Sequence, residues 1–262
     1  MEKINKLRKF LIDKKIDGYI VGKNDEFFGE YVDDNNDRLN YVSNFSGSFG
    51  FALILKSKNY LFVDGRYTLQ AINQSSKFFK IITLPCKFQK EIFKKKLLVG
   101  FDPRLFTRKT LQFFFKNIFD FKPIDENLID KSWKRKILNK DSKFYKLPDN
   151  IAGKKYDEKI CKIFSFLKTK KADYQFITSS ENNAWLLNMR GRDEKYSPIP
   201  HCYVLINKNR DIMVFCQLNK ISNNFKKKYK KIKFLKIEKA ELILRNISKK
   251  KFIIDKNTCS FY

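Results

Sequence analysis

The sequence predicts an α/β protein with two tandem, similar domains, each a mixed sheet flanked by helices. Hydrophobic residues make up 43% of the 262 residues, which is enough to form the hydrophobic cores of folded domains. Short apolar runs of strand length alternate with segments of helical periodicity. Much of this pattern occurs twice along the chain, and the duplication sets the number of domains.

An amphipathic helix opens each copy. Apolar residues recur three and four positions apart, which places them on one buried helix face. Nine residues match at a constant shift, since 158 − 2 = 156 and 173 − 17 = 156. The first copy contributes Glu2, Lys3, Ile4, Leu7, Phe10, Leu11, Lys14, Lys15 and Asp17, and the second Glu158, Lys159, Ile160, Ile163, Phe166, Leu167, Lys170, Lys171 and Asp173.

Further elements follow each helix in the same order. An apolar run predicts a strand, a matched segment follows at a shift of 144, and then come a β-hairpin and a strand ending in Asp. In the first copy these are 19–21, 41–47, 51–63 and 99–102, and in the second 174–177, 185–191, 203–215 and 252–255. We interpret the pattern as a true duplication of one α/β domain.

The second copy is shorter than the first. The first copy continues into a predicted helix, 107–118, and a short strand near 121–124, whereas the sequence stops seven residues after Asp255. Because a domain without its last helix and strand would leave part of its sheet uncovered, we expect the natural chain to run on. The predicted bounds are 1–130 for the first domain, 131–153 for a linker and 154–262 for a second domain truncated at its C-terminus.

The net charge of +28 suggests a polyanionic partner. However, Lys, Asn, Ile and Phe are all abundant, and these residues share A/T-rich codons, so codon bias alone would produce the excess. The densest cluster, 226–231, is typical of a solvated helix end or loop. We therefore expect no specific nucleic-acid partner.

Composition also indicates the cellular setting. No apolar run approaches the length of a membrane span, and the N-terminus lacks the apolar core of a signal peptide. We expect a soluble, cytoplasmic protein. The five cysteines are widely spaced, form no CxxC pair and are expected to be reduced thiols.

Two short segments predict local structure of interest. Gly47, Ser48 and Gly50 predict a tight loop between a strand and a hairpin, either as a turn that needs positive φ or as a ligand contact. Asp64 is predicted to cap a helix that begins after it, with Arg66 a surface guanidinium paired to Asp64. His201, the single histidine, is predicted to be a packed side chain.

Three segments resemble a known family. These are Arg38–Gly50 followed by Leu61–Ala71, Asn127–Trp133, and Ala184–Asp193. The first contains Asp64-Gly65-Arg66-Tyr67, the second ends in Trp133, and the third begins Ala184-Trp185. They are similar to signatures of the creatinase/prolidase N-terminal domains, in the version of the long, three-domain aminopeptidases P.

The resemblance implies that this chain is the non-catalytic N-terminal region of an Xaa-Pro aminopeptidase, a metallo-exopeptidase that releases the residue before proline. Arg66 would then reach into the substrate site, where its rigid fork suits a carboxylate or peptide carbonyls. Two divalent ions, expected to be manganese, would lie in a pita-bread catalytic domain of the same polypeptide, and the full-length enzyme would be a homodimer.

One histidine cannot fill the roles of such a centre, and no stretch matches the pita-bread metal motifs. We therefore assign no catalytic and no metal-binding residue and expect the 262-residue chain alone to be inactive. Two alternatives stay open: a stand-alone binding or scaffold module of the same fold, and a basic nucleic-acid-binding protein.

Overall fold

The computed structural model describes residues 2–85, 96–115, 118–135 and 142–261. These residues divide into two compact units. The first unit takes in the described residues of Met1–Glu26, Val32–Ile137 and Ser260–Tyr262, and the second those of Phe27–Tyr31 and Leu138–Cys259. Each unit has its own mixed sheet and core, which confirms the predicted fold class. The finer bounds at 131–153, part of which lies outside the described residues, stay a prediction.

The first unit is a helix-flanked sheet with strand order β4-β3-β2-β1-β5-β6 in the described residues. Strand β2 is antiparallel to both of its neighbours, and the other pairings are parallel. The elements are α1 (Glu2–Asp13), β1 (Gly18–Gly22), α2 (Arg38–Ser43), β2 (Gly50–Leu55), β3 (Asn59–Asp64), a 3₁₀ turn (Gly65–Tyr67), α3 (Thr68–Ser75), β4 (Lys80–Leu84), β5 (Leu97–Phe101), α4 (Arg108–Phe115) and β6 (Phe119–Pro123).

Alternating side chains of the first sheet pack into two hydrophobic clusters, one on each face, because successive strand residues point to opposite faces. On β3, Leu61 and Val63 join the cluster that contains Leu7 of α1. Tyr60 and Phe62 join the opposite cluster, which is rich in phenylalanine. The sheet is therefore buried on both faces.

The second unit repeats this arrangement. Its main sheet has the order β12-β11-β10-β8-β13 in the described residues, which matches β4-β3-β2-β1-β5 of the first unit strand for strand. The elements are β7 (Tyr145–Lys146), α5 (Asp149–Ala152), α6 (Tyr156–Thr169), β8 (Tyr174–Ile177), α7 (Ser180–Leu187), β9 (Met189–Arg190), β10 (Tyr203–Asn207), β11 (Ile212–Cys216), a 3₁₀ turn (Leu218–Lys220), α8 (Asn223–Lys228), β12 (Ile232–Lys236), α9 (Lys239–Asn246) and β13 (Phe252–Ile253).

The duplication extends to individual backbone and side-chain interactions. Lys15 and Lys171, which are 156 residues apart, both have positive φ, at 53° and 49°. Two residues later, the backbone N–H groups of Asp17 and Asp173 donate to the carbonyls of Leu98 and Lys251, respectively. In return, each aspartate carboxylate accepts the backbone N–H of the same partner residue at 3.0 Å. These shared details confirm the predicted duplication.

The helix after β5 agrees with its prediction, while the element before the Gly47 loop does not. The helix predicted at 107–118 is observed as α4, with 116–117 outside the described residues. The strand predicted before Gly47 is wrong, because α2 occupies that position. The Asp37 side chain caps this helix by accepting from the backbone N–H of Asn40 at 3.0 Å, and Asn44 ends it with a φ of 62°.

No helix among the described residues is long and apolar enough to cross a membrane. The lysines at 226–231 lie at and after the end of α8 and are exposed, as predicted for a solvated helix end. Of the cysteines in the described residues, Cys161, Cys202, Cys216 and Cys259 are free thiols, and Cys86 lies outside those residues.

Candidate functional site

The carboxyl ends of β1, β3, β4, β5 and β6 meet at one edge of the first sheet, because these strands run in the same direction. We call this the carboxyl edge. Open α/β sheets bind their ligands at this edge, since backbone groups and loop side chains converge there. Arg66 lies immediately beyond the end of β3 and therefore belongs to it.

Arg66 is anchored to Asp64 by a bidentate ion pair. Its Nη2 lies 2.6 Å from Asp64 Oδ2, and its Nε lies 3.2 Å from both carboxylate oxygens. The same carboxylate accepts the backbone N–H of Arg66 at 2.9 Å, which confirms the predicted cap. Despite this anchor, 72% of the Arg66 side chain is exposed, so the outer face of the guanidinium faces solvent.

The pair fixes the charge of both groups. The hydrogen bond from Arg66 lowers the pKa of Asp64, and the hydrogen bond to Asp64 raises the pKa of Arg66. Both side chains are therefore ionised across the physiological range. The arrangement presents a fixed cation with unused donors, which suits a carboxylate or a carbonyl of a ligand.

Tyr67 links Arg66 to the neighbouring loop. The Arg66 guanidinium lies 5.3 Å from the centroid of the Tyr67 ring, and the Tyr67 hydroxyl is 2.7 Å from Ser48 Oγ. The Tyr67 ring also packs edge-on against Phe45 at 5.8 Å. The loop at 45–48 and the 3₁₀ turn consequently form one continuous polar surface.

The glycines of this loop are needed for close packing and not for positive φ. A Cβ at Gly47 would collide with the Phe45 ring, and one at Gly50 would lie 2.9 Å from Phe62 O. Neither glycine has positive φ, so the predicted positive-φ turn is wrong. The left-handed residue is Asn44, which ends α2 just before the loop.

Two glutamines on α3 hold the loop in place. Gln70 Nε2 and Gln74 Nε2 each donate to Ser46 Oγ at 2.9 Å, and Gln74 Oε1 accepts the Ser46 backbone N–H at 3.0 Å. Since α3 begins directly after Tyr67, the same short segment supplies both Arg66 and the residues that fix the facing loop. The surface is thus built by contiguous sequence, which explains why a motif could reveal it.

A second Asp-x-Arg pair at the carboxyl edge was missed by the sequence analysis. Arg104 Nε and Nη2 donate to the two oxygens of Asp102 at 2.9 and 2.8 Å, just after β5. The signal was available, because Asp102-Pro103-Arg104 also follows a predicted strand. Here, however, Asp102 is buried and also accepts from Asn127 at 2.9 Å, so this pair is mainly structural.

The segment at 127–133, which carries the second resemblance, has a structural role. Asp130 binds the buried Arg38 of α2 through two hydrogen bonds of 2.9 Å, and Trp133 stacks on Tyr41 at 4.5 Å. Burial alone would lower the pKa of Arg38, but the hydrogen bond to Asp130 and the charge of Glu26 outweigh it and raise that pKa. These contacts fix α2 and thereby the loop after it.

The segment at 184–193 also has a structural role, and several of its partners lie outside the segment. Asn188 has a φ of 50°, donates to Lys154 O at 2.8 Å and accepts from Lys159 Nζ at 2.7 Å. Asp193 forms a buried ion pair with Lys220 and accepts the backbone N–H of His201 at 2.7 Å.

His201 agrees with its prediction as a packed side chain. Its ring stacks on Phe27 of the same unit, with centroids 4.1 Å apart. Among the described residues, no group of three or more His, Cys, Asp or Glu could hold a metal ion. The described residues therefore do not fit a two-ion centre.

The buried thiols are poor nucleophiles. Burial raises the pKa of Cys216 to about 12 and raises the pKa of Cys202 well above its ordinary range. Both remain protonated at neutral pH. Neither thiol is therefore suited to nucleophilic chemistry.

Family comparisons agree with the division into two copies. A family model described as the creatinase/prolidase N-terminal domain matches residues 3–131, and a second model of the same description matches residues 135–262. Together they cover nearly the whole chain.

Curated relatives are longer than this chain. A probable Xaa-Pro aminopeptidase P of Penicillium rubens is 33% identical over 217 residues, which are 78% of this chain and 35% of the relative. Xaa-Pro aminopeptidase 1 of Dictyostelium discoideum is 32% identical over 246 residues, which are 86% of this chain and 39% of the relative. The chain thus spans between a third and two fifths of these relatives.

A solved structure shares the fold. The crystal structure of X-prolyl aminopeptidase from Caenorhabditis elegans, described as a cytosolic enzyme with a di-nuclear active site, matches with a TM-score of 0.84. It is 24% identical, and the match covers 97% of this chain and 46% of that one. Because a single solved chain covers both units, the tandem arrangement recurs in another protein.

Proposed function

The chain belongs to the creatinase/prolidase N-terminal domain family, and on this premise we propose that it is the non-catalytic N-terminal region of an Xaa-Pro aminopeptidase. The parent enzyme would release the residue that precedes proline at a peptide N-terminus. Its catalytic domain would belong to the same polypeptide. The relatives named above support this proposal, since each carries that activity in its name and extends well beyond the matched region.

The geometry of Arg66 is the single observation that carries a role for this chain in substrate binding. Arg66 is charged, oriented by Asp64 and largely exposed at the carboxyl edge. Arg38, by contrast, buries its fork against Asp130 and has a structural role. We therefore assign Arg66 to the wall of the substrate cleft, where it would bind the carboxylate or a backbone carbonyl of a short peptide.

The remaining features of the parent enzyme follow from the same premise. Two divalent ions, manganese in our proposal, would be held by the catalytic domain, polarising the scissile carbonyl when bound. The enzyme would act in the cytoplasm, as the C. elegans relative does by its description, and would form a homodimer. This chain would contribute binding and access control.

An activity assay on two lengths of the protein tests the proposal. The 262-residue chain and a version extended through the catalytic domain are incubated with manganese and a short peptide that has proline in the second position. We expect hydrolysis by the extended protein only. A peptide with alanine in the second position is the substrate control, and it should be cut far more slowly.

Either of two results would contradict the proposal. Hydrolysis of the proline peptide by the 262-residue chain would show that the catalytic residues lie within it. A folded, manganese-loaded extended protein that leaves the peptide intact would point to a binding or scaffold module instead.

A further inference from the structure

A basic groove lies at the opposite edge of the first sheet from Arg66. It is lined by Arg8 of α1, by Lys58 in the β2–β3 turn, and by Lys77 and Lys80 around the start of β4, and its volume is about 410 Å³. Strand β3 separates the two places, since Asn59 begins it at the groove and Asp64 ends it beside Arg66. Six strand residues span about 17 Å, so the groove is distinct from the carboxyl edge.

Arg8 is fixed in the groove by neutral partners. Its Nε donates to Leu55 O at 3.1 Å and its Nη2 donates to Asn59 Oδ1 at 3.2 Å. Asn59 is held in turn, because its Nδ2 donates to Phe78 O at 2.9 Å. The guanidinium is thus oriented by the protein while its charge is not neutralised by a carboxylate among the described residues.

The groove concentrates positive charge. Lys58, Lys77 and Lys80 are exposed and form no ion pair within the described part of the chain. None of the described residues that line the groove is acidic. Four like charges around a small volume repel one another and raise the local concentration of anions, which favours a multivalent anion as ligand.

The second unit has a groove beside its own hairpin turn, between that turn and the end of α6, and its lining differs from that of the basic groove. There Lys208 forms an ion pair with Asp173 at 2.7 Å, and both residues line the groove. The matched pair of the first unit, Lys56 and Asp17 at 3.6 Å, does not line the basic groove. Phe164 stands at the position of Arg8, since 164 − 8 = 156, and Arg210 lies 5.6 Å from the centroid of its ring. The oriented arginine without an acidic neighbour is therefore a property of the first copy.

We propose that the basic groove of the first unit binds a small anion that carries several phosphate groups. Arg8 would bind one phosphate through its planar fork, and the three lysines would neutralise the others as mobile point charges. A volume of about 410 Å³ suits a small molecule and lies in the range of small-ligand sites. A nucleic-acid strand would instead require an extended groove with successive stacking platforms.

Calorimetric titration with inorganic tripolyphosphate at about physiological salt tests this site. The test variant replaces Lys58, Lys77 and Lys80 with Gln, and the control replaces Lys226, Lys227 and Lys228 with Gln. Both variants lose three exposed charges, so they differ only in location. We expect the groove variant to bind at least about 10-fold more weakly and the control to change less than about 2-fold.

A second arm with ATP distinguishes a free polyphosphate from a nucleotide. Binding of ATP that is weakened by the groove variant also supports the proposal, because both ligands present the same phosphates. Three results would overturn it: no binding of tripolyphosphate to the parent protein, equal weakening in the two variants, or a single-stranded oligonucleotide that binds more tightly than tripolyphosphate and depends on the same lysines.

Discussion

The two copies use the same element of the fold in opposite ways. In each unit, the second strand of the hairpin is followed by a 3₁₀ turn that carries a cation. In the first unit this cation is Arg66, with 72% of its side chain exposed. In the second it is Lys220, which is 8% exposed and paired with Asp193, itself only 2% exposed.

The same turn therefore holds a buried, neutralised cation in one copy and an exposed cation in the other. Lys220 is enclosed by its own unit and its charge is balanced there, so it has no capacity left for a ligand. Arg66 contributes little packing but presents an oriented charge to solvent. We infer that after duplication this turn kept a buried, paired cation in the second copy and presents a cation to solvent in the first, where our proposal assigns it to substrate binding.

The largest effect on stability is expected for Lys220→Met. The substitution leaves the Asp193 carboxylate buried without its lysine partner, which costs about 3–5 kcal/mol of the free energy of unfolding. Urea titration followed by Trp185 fluorescence reports on the second unit. Lys226→Met, at an exposed lysine of the same unit, should change this free energy by less than about 0.5 kcal/mol. Equal losses of unfolding free energy for the two substitutions would show that the buried pair of Lys220 and Asp193 does not stabilise the second unit.

The next effect compares two lysines that occupy matched positions. Lys159 is buried and donates to Trp185 O at 2.6 Å and to Asn188 Oδ1 at 2.7 Å, while Lys3 is exposed and donates to Tyr41 O at 3.0 Å. Lys159→Met should cost about 2 kcal/mol of unfolding free energy, since buried Asn188 Oδ1 loses its lysine donor and part-buried Trp185 O loses one of its donors. Lys3→Met should cost less than about 0.5 kcal/mol.

Single-tryptophan versions, with Trp133 as the reporter of the first unit and Trp185 as that of the second, separate the two unfolding transitions. A cost for Lys3→Met that equals the cost for Lys159→Met would show that burial does not decide the energetics of this pair.

A smaller effect is expected at the matched left-handed residues. Asn188→Gly should cost about 1–2 kcal/mol, because the side chain bonds Lys154 O and Lys159 Nζ as well as ending α7. Asn44→Gly should stay within about 0.5 kcal/mol, because glycine relieves the left-handed strain and no side-chain hydrogen bond of Asn44 occurs in the described residues. Chemical denaturation measures the free energy of unfolding of each variant. A larger loss for Asn44→Gly than for Asn188→Gly would contradict the structural role assigned to the Asn188 side chain.

The smallest effect concerns the pH dependence of the second unit. The hydrogen bond from Lys208 lowers the pKa of Asp173, so the pair stabilises the folded state above the unfolded pKa of about 3.9 and loses this contribution as the pH falls through the lowered folded value. Asp173→Asn should therefore flatten the fall in Tm between about pH 5 and pH 2. An unchanged acid profile would show that the pair contributes nothing measurable.

The sequence predicted the features that depend on contiguous residues. The strand at 174–177, the two hairpins and the cap at Asp64 were all correct, since each follows from local periodicity or from a local hydrogen bond. The family resemblance likewise rested on short runs, and Arg66 lies in one of them. Its role in substrate binding stays a prediction.

Features set by distant partners were missed or wrong. The helix α2 was predicted as a strand, although Leu39 and Val42 are three apart as a helix requires, because six residues give too short a window to decide the period. Gly47 and Gly50 were interpreted through their own φ, whereas packing against Phe45 and Phe62 requires them. The pairing of Asp193 with Lys220 could not be foreseen, because 27 residues separate them.

The substitution Arg66→Ala tests the central contrast most directly. In the enzyme extended through its catalytic domain, we expect kcat/KM for an Xaa-Pro peptide to fall about 10- to 100-fold, because charge-assisted bonds to the substrate are lost, while the urea midpoint stays unchanged. The matched control is Arg245→Ala, at a 70% exposed arginine that also pairs with a nearby carboxylate. Unchanged kinetics, or a loss of stability that accounts for the loss of activity, would contradict the account.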